Sequence, residues 1–398
     1  MEGSNKIRYL EGLRGTAAML VVLHHFMLAF YPAYYFGGDP TCSHLGTFEL
    51  AYFRSPLSFL TNGNFMVTIF FVLSGYVLSH SYINSNKTET LVSSAMRRFL
   101  RLYIPVAFTL IIAFILLRAN WLLGNQASDF THSWWLGNIW PKDTSLKTFI
   151  ECFSYKTMFV GDSTYDTSMW TMSIEFYGSL LVFGLLALTN NTRRKGLIFL
   201  VLSVFLYFLS NKFYVAFIIG ISLNYLNKIN LDKIKYRKIL VVLFVITGLI
   251  MGGFPSFTTG YEQETFYKFI SSPRLINDPD SIHILGATFI IAAVLLSPSI
   301  QKLFSGKIFI FLGDISFSSY LIHPLVIGTI SCLLFLNINN IINNYNISVL
   351  ITFLVTIPVV LIVSKIMTQL VDKPGVKFSK YIYTRFFKLK DTQQEVQS

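Results

Sequence analysis

Apolar runs of about the length of a membrane crossing recur from one end of this 398-residue chain to the other, and only 13% of its residues are charged. Soluble domains carry about 25%. Inside a bilayer every backbone N–H and C=O must find its partner within the protein, so such runs are helices or the strands of a closed barrel. The runs are continuous and lack a two-residue alternation, which excludes a barrel. Lys6 and Arg8 precede the first run, and no small-residue cleavage pattern follows it, so it reads as a retained helix rather than a signal peptide. With only Cys42, Cys152 and Cys332, a disulfide scaffold is also excluded.

Ten segments approach the roughly 20 residues needed to cross about 30 Å of hydrocarbon. They lie near 10–31, 63–83, 100–119, 169–189, 196–210, 212–227, 238–255, 281–299, 311–336 and 347–371. With the N-terminus in the cytosol, 22 of the 32 basic residues fall in cytosolic segments and eight in outer ones, the asymmetry that orients membrane proteins. The net charge of +12 is therefore a topology signal, and a nucleic-acid partner drops out. The expected fold is an all-α membrane protein, a bundle of about ten transmembrane helices with both termini cytosolic. Residues 1–375 form the membrane domain and 376–398 a basic cytosolic tail. No internal repeat suggests the inverted halves of a transporter. Nothing in the sequence speaks to oligomeric state, and a Cys42–Cys152 bridge is allowed by the topology without further support.

Ionisable side chains inside spanning helices are costly and mark function by default. The first helix holds Arg14, His24 and His25. Arg14 and His25 are eleven residues apart, three turns with about 20° of residual rotation, so they share a face about 16 Å apart along the axis. Arg14, near the cytosolic end, suits an anion or a snorkelling interfacial charge. Glu175 on the fourth helix, near Trp170, counts to a depth similar to that of His25, and an imidazole is the expected partner of a buried carboxylate. Ser316, Tyr320 and His323 form one polar stripe on the ninth helix, and Pro324 suggests a kink there. Arg98 and Arg101 begin the third helix on one face. Such a pair clamps phosphates or simply stops the helix at lipid headgroups. Two long outer loops stand out. Residues 120–168 hold Trp134 and Trp135, whose flat faces suit sugar rings or the membrane interface, and residues 256–280 carry Glu262 and Glu264. No P-loop, nucleophile elbow or zinc motif occurs, and no metal is expected.

Six blocks resemble the acyltransferase 3 family of polytopic membrane enzymes. They are YLEGLRGTAAMLVVLHH with Arg14 and His25, FFVLSGYVLS at 70–79, RRFLRLYIP at 97–105, MWTMSIEFYG at 169–178, GDISFSSYLIHPLV at 313–326 and VDKP at 371–374. Met169 and Met172 depart modestly from the family pattern. The resemblance implies an acyltransferase of the inner (plasma) membrane. It would move an acyl group, most often acetyl, from cytosolic acyl-CoA (acetyl-CoA) to a hydroxyl of a cell-envelope or secreted glycan or another small acceptor. The chain would be a stand-alone form without the periplasmic esterase-like domain of some relatives. On this reading Arg14, Arg98 and Arg101 bind the CoA phosphates. His25 is the general base, Glu175 orients it, and Tyr320 or Ser316 supports the oxyanion. Trp134, Trp135, Trp170 and His323 line the acceptor site. The alternative is a proton-coupled secondary transporter using His25 and Glu175 as a relay.

Overall fold

The structure, a computed structural model, describes residues 7–37, 40–141, 145–209, 212–226, 235–256, 265–269 and 278–386. Glu262 and Glu264, the ends of the fifth and sixth expected segments at 210 and 227, and the tail after residue 386 lie outside these residues. Among the described residues there are helices and no strands. We number the main helices α1 (Arg8–Phe30), α2 (Gly63–Ser85), α3 (Thr88–Arg118), α4 (Trp170–Leu188), α5 (Lys195–Phe208), α6 (Lys212–Leu226), α7 (Arg237–Gly252), α8 (Pro279–Leu296), α9 (Lys307–Val326) and α10 (Tyr345–Met367). Each expected segment falls on one of them. Seven are long and apolar enough to cross a membrane, namely α1–α4, α8 and the extended α9 and α10. α5, α6 and α7 have 14, 15 and 16 residues and are shorter than a standard span.

Three boundaries move for physical reasons. α3 starts at Thr88, twelve residues before the expected position, because its first turns are amphipathic and escape a hydropathy reading. α9 does not break at Pro324. It runs on through wider turns at Ile327–Ser331 into Cys332–Ile342. α10 continues through Thr368–Asp372 into an amphipathic helix, Lys373–Phe386.

α1 and α9 pack backbone to backbone. A methyl group added at Gly15 would collide with the backbone of Leu312 and Gly313, and one at Gly313 with that of Glu11. Such approaches need glycine, and they are how helices associate where no water drives them together. α2 packs against α6 and α8, and the helix ends are capped where the chain turns: Asn62 Oδ1 accepts from Phe65 N–H at the start of α2 (3.2 Å). The outer loop 120–168 is pinned over the ends of α1 and α9. Ser133 Oγ donates to Leu28 O (2.6 Å), Leu123 N–H to Gly328 O (2.8 Å), and Trp140 is buried against Gly328. Cys152 and Cys42 form no disulfide; Cys152 Sγ points instead at Asp162 Oδ1.

Candidate active site

The α1–α9 contact sets the register of two polar clusters. At the inner one, Arg14 Nε donates to Ser316 Oγ (3.1 Å), and that hydroxyl donates to Gly313 O (2.8 Å). Both side chains line a cavity of about 140 Å³, together with Ser74, Arg98, Arg101, Thr171, Glu175 and Tyr320. Arg98 is buried and forms an ion pair with Glu175 Oε1, which also accepts from Ser74 Oγ (2.7 Å). Arg98 Nε has no partner among the described residues. Arg101 is exposed at the cavity mouth. Asp314 also lines the cavity and is held by Lys365 (3.3 Å) and Lys373 (3.1 Å). The three arginines therefore share the cavity wall with two further carboxylates, Asp314 and Asp372, besides the one that neutralises Arg98.

Tyr320 lies between this cavity and the second cluster. Its ring meets Phe70 edge-on at 5.7 Å and lies 6.2 Å from His323. Its hydroxyl donates to Ser168 O (3.2 Å) and is 3.0 Å from Thr171 Oγ1. Beyond it, His323 Nε2 is 2.9 Å from His25 Nδ1, and His323 Nδ1 is 2.9 Å from Ser319 O. His25 is partly exposed, and its ring lies 5.2 Å from Trp135. Trp134 and Trp135 line an open bowl of about 540 Å³ together with Asn138, Asp162, Ser163 and Thr164. Aromatic faces beside polar groups suit a ligand with one apolar and one hydroxylated face.

The expected pairing of Glu175 with His25 is corrected. Glu175 belongs to the inner cavity with Arg98 and Ser74, and His25 is paired with His323. Counting turns gives depth along a helix but neither its tilt nor which way its face turns. Arg98 lies almost three turns inside α3, which starts at Thr88, and its side chain is buried against Glu175. Trp170 packs against Phe213 (5.6 Å) and does not line the outer bowl. His24 is a packed side chain: its Nδ1 is bonded to Thr61 O (2.7 Å), and its ring occupies the space that a Cβ at position 63 would fill.

Three polar residues escape the sequence reading. Asp314 was legible as an ionisable side chain inside an apolar segment. Ser74 carries no charge and gives no such signal. Asp166 lies in a loop, fully buried, with Oδ1 accepting from Ser168 N–H (2.8 Å) and Oγ–H (2.6 Å) and Oδ2 without a partner among the described residues. Burial pushes its carboxyl up to about 7. No group of metal ligands occurs among the described residues.

A family model described as an acyltransferase domain matches residues 7–365. Among curated proteins, the chain is similar to O-acetyltransferase PaAT-1 of Phomopsis amygdali, with 24% identity over 436 aligned residues that cover 96% of this chain and 86% of that protein. No solved structure matches the chain.

Proposed function

Because this chain belongs to the acyltransferase 3 family, we propose that it carries an acetyl group from cytosolic acetyl-CoA across the inner (plasma) membrane to a hydroxyl of a cell-envelope or secreted glycan. It is an acyltransferase and a multi-pass membrane protein. One observation carries the finer reading: the arginine-lined cavity and the histidine pair follow one another along α1 and α9, and the aromatic bowl adjoins the pair where Trp135 meets His25.

Acyl-CoA has phosphates at one end and a thioester at the end of a thin arm. Arg101 at the mouth and the remaining N–H groups of Arg14 and Arg98 hold the phosphates. The arm runs past Ser316 toward Tyr320. A cavity of about 140 Å³ favours a thin arm with a short acyl group over a long fatty chain. The acceptor hydroxyl enters from the bowl, where Trp134 and Trp135 meet its sugar ring. His25 Nε2 takes the hydroxyl proton as the new carbon–oxygen bond forms. The carbon–sulfur bond then breaks, and the proton passes from His25 to the departing CoA sulfur. The Tyr320 hydroxyl reaches the oxyanion only by leaving Ser168 O. Ser316 holds Arg14, and Glu175 holds Arg98. Without a Glu175–His25 contact, the relay assumed for a transporter loses its basis.

Vesicles given labelled acetyl-CoA should pass label to a hydroxylated glycan. His25→Ala and Arg14→Ala should lower that transfer by about 10²-fold or more while the protein remains in the membrane. A normal rate in His25→Ala would overturn this reading.

A further inference from the structure

The geometry points to His323 as the positioning residue that fixes the tautomer and orientation of His25. This rests on the reading of His25 as the base.

A carbonyl oxygen only accepts hydrogen bonds. His323 Nδ1 lies 2.9 Å from Ser319 O, so that nitrogen carries the proton in the neutral ring. His323 Nε2 is then a lone pair, and it lies 2.9 Å from His25 Nδ1. A lone pair there needs a donor, so His25 Nδ1 carries its proton. A second neighbour agrees, because His25 Nδ1 is also 3.2 Å from Val21 O, which likewise only accepts. Three acceptors thus impose one protonation pattern on both rings. It leaves His25 Nε2 deprotonated, the state a general base needs. His323 is fully buried, so water does not compete for its lone pair. The arrangement does for His25 what a buried carboxylate does for the histidine of a serine-protease triad, with a neutral imidazole and a backbone carbonyl in the carboxylate's place. It supplies the orienting group that Glu175, engaged with Arg98, does not.

Two substitutions separate orientation from packing. His323→Gln can still offer an oxygen acceptor to His25 Nδ1–H, whereas His323→Leu fills similar space without one. In bilayer-reconstituted protein, His323→Leu should lower kcat about 10²–10⁴-fold with KM for acetyl-CoA nearly unchanged. His323→Gln should recover most of that loss. Nitrogen NMR of ¹⁵N-histidine protein should show His25 protonated at Nδ1 in the wild type and mixed tautomers in His323→Leu. Equal activity of the two variants, or an unchanged His25 tautomer in His323→Leu, would overturn the inference. His25→Ala in the same assay keeps the two readings apart. If it transfers acetyl normally, the base reading fails and takes this one with it. If it is inactive while His323→Leu is normal, only the role of His323 fails.

Discussion

Arg98 and Glu175 meet inside the bundle, with Ser74 donating to the same carboxylate oxygen, so neither charge can be changed alone. Glu175→Gln leaves a buried guanidinium without its counter-charge and should destabilise the protein by roughly 3–5 kcal/mol. Combining it with Arg98→Met should recover much of the lost thermal stability in detergent. If the double variant is as unstable as the sum of the singles, the pair is not coupled. Asp166 gives a different kind of prediction. Its carboxyl is raised from an ordinary 3.8 to about 7 by burial. Below pH 3.8 it is protonated whether the chain is folded or not, and costs nothing. Between 3.8 and 7 the unfolded chain ionises first, so stability falls as pH rises; above 7 the loss is constant. The ceiling on that loss is about 4 kcal/mol. Asp166→Asn should therefore raise the Tm at pH 8 and leave it nearly unchanged at pH 4. An equal gain at both pH values would show that the buried charge is not the cause.

Among the helices, the α1–α9 contact matters most, because it places Arg14 on Ser316 and His25 beside His323. Gly15 and Gly184 make a paired test. A methyl at Gly15 meets the backbone of Leu312 and Gly313, which cannot yield as a flexible side chain would, whereas a methyl at Gly184 on α4 meets nothing within 4 Å. Gly184→Ala should be neutral or gain up to about 1 kcal/mol from helix propensity. Gly15→Ala should cost about 1–3 kcal/mol as overpacking and lower acyl transfer as the two clusters separate. Matching behaviour of the two in thermal unfolding and in transfer assays would remove the close contact from the account. At this scale the sequence was informative where period and apolarity coincide, as in the shared face of Arg14 and His25 and the stripe Ser316, Tyr320 and His323. It pointed to the wrong partner for Glu175, because the rotation of one helix against another depends on close contacts such as Gly15 on Gly313. The amphipathic start of α3 was hidden for the opposite reason, since no apolar run marks it.

For the whole molecule, the open quantity is the number of crossings, and the site constrains it. Arg14 contacts Ser316 and His25 contacts His323, so residue numbers rise together along α1 and α9, and the two helices run in the same direction. α2, α3, α4 and α8 lie between them as long apolar helices. If α5, α6 and α7 did not cross, these four would leave α9 running opposite to α1. Hence an odd number of α5–α7 crosses. The three helices are about 21–24 Å long at 1.5 Å per residue, several ångströms short of an average core. Local thinning of the bilayer absorbs such a mismatch at modest cost. The basic residues narrow the choice, because Lys228, Lys233, Lys235, Arg237 and Lys238 reach the cytosolic side only if α5 and α6 both cross or neither does, that is, with all three crossing or with α7 alone. With all three crossing, a reporter at each terminus and one each near residues 192, 210 and 231 should read inside at both ends, then inside, outside and inside. Termini on opposite sides would contradict the parallel course of α1 and α9. With residue 192 inside, any other reading of the reporters at 210 and 231 would reduce the bundle to eight crossings while leaving the site intact.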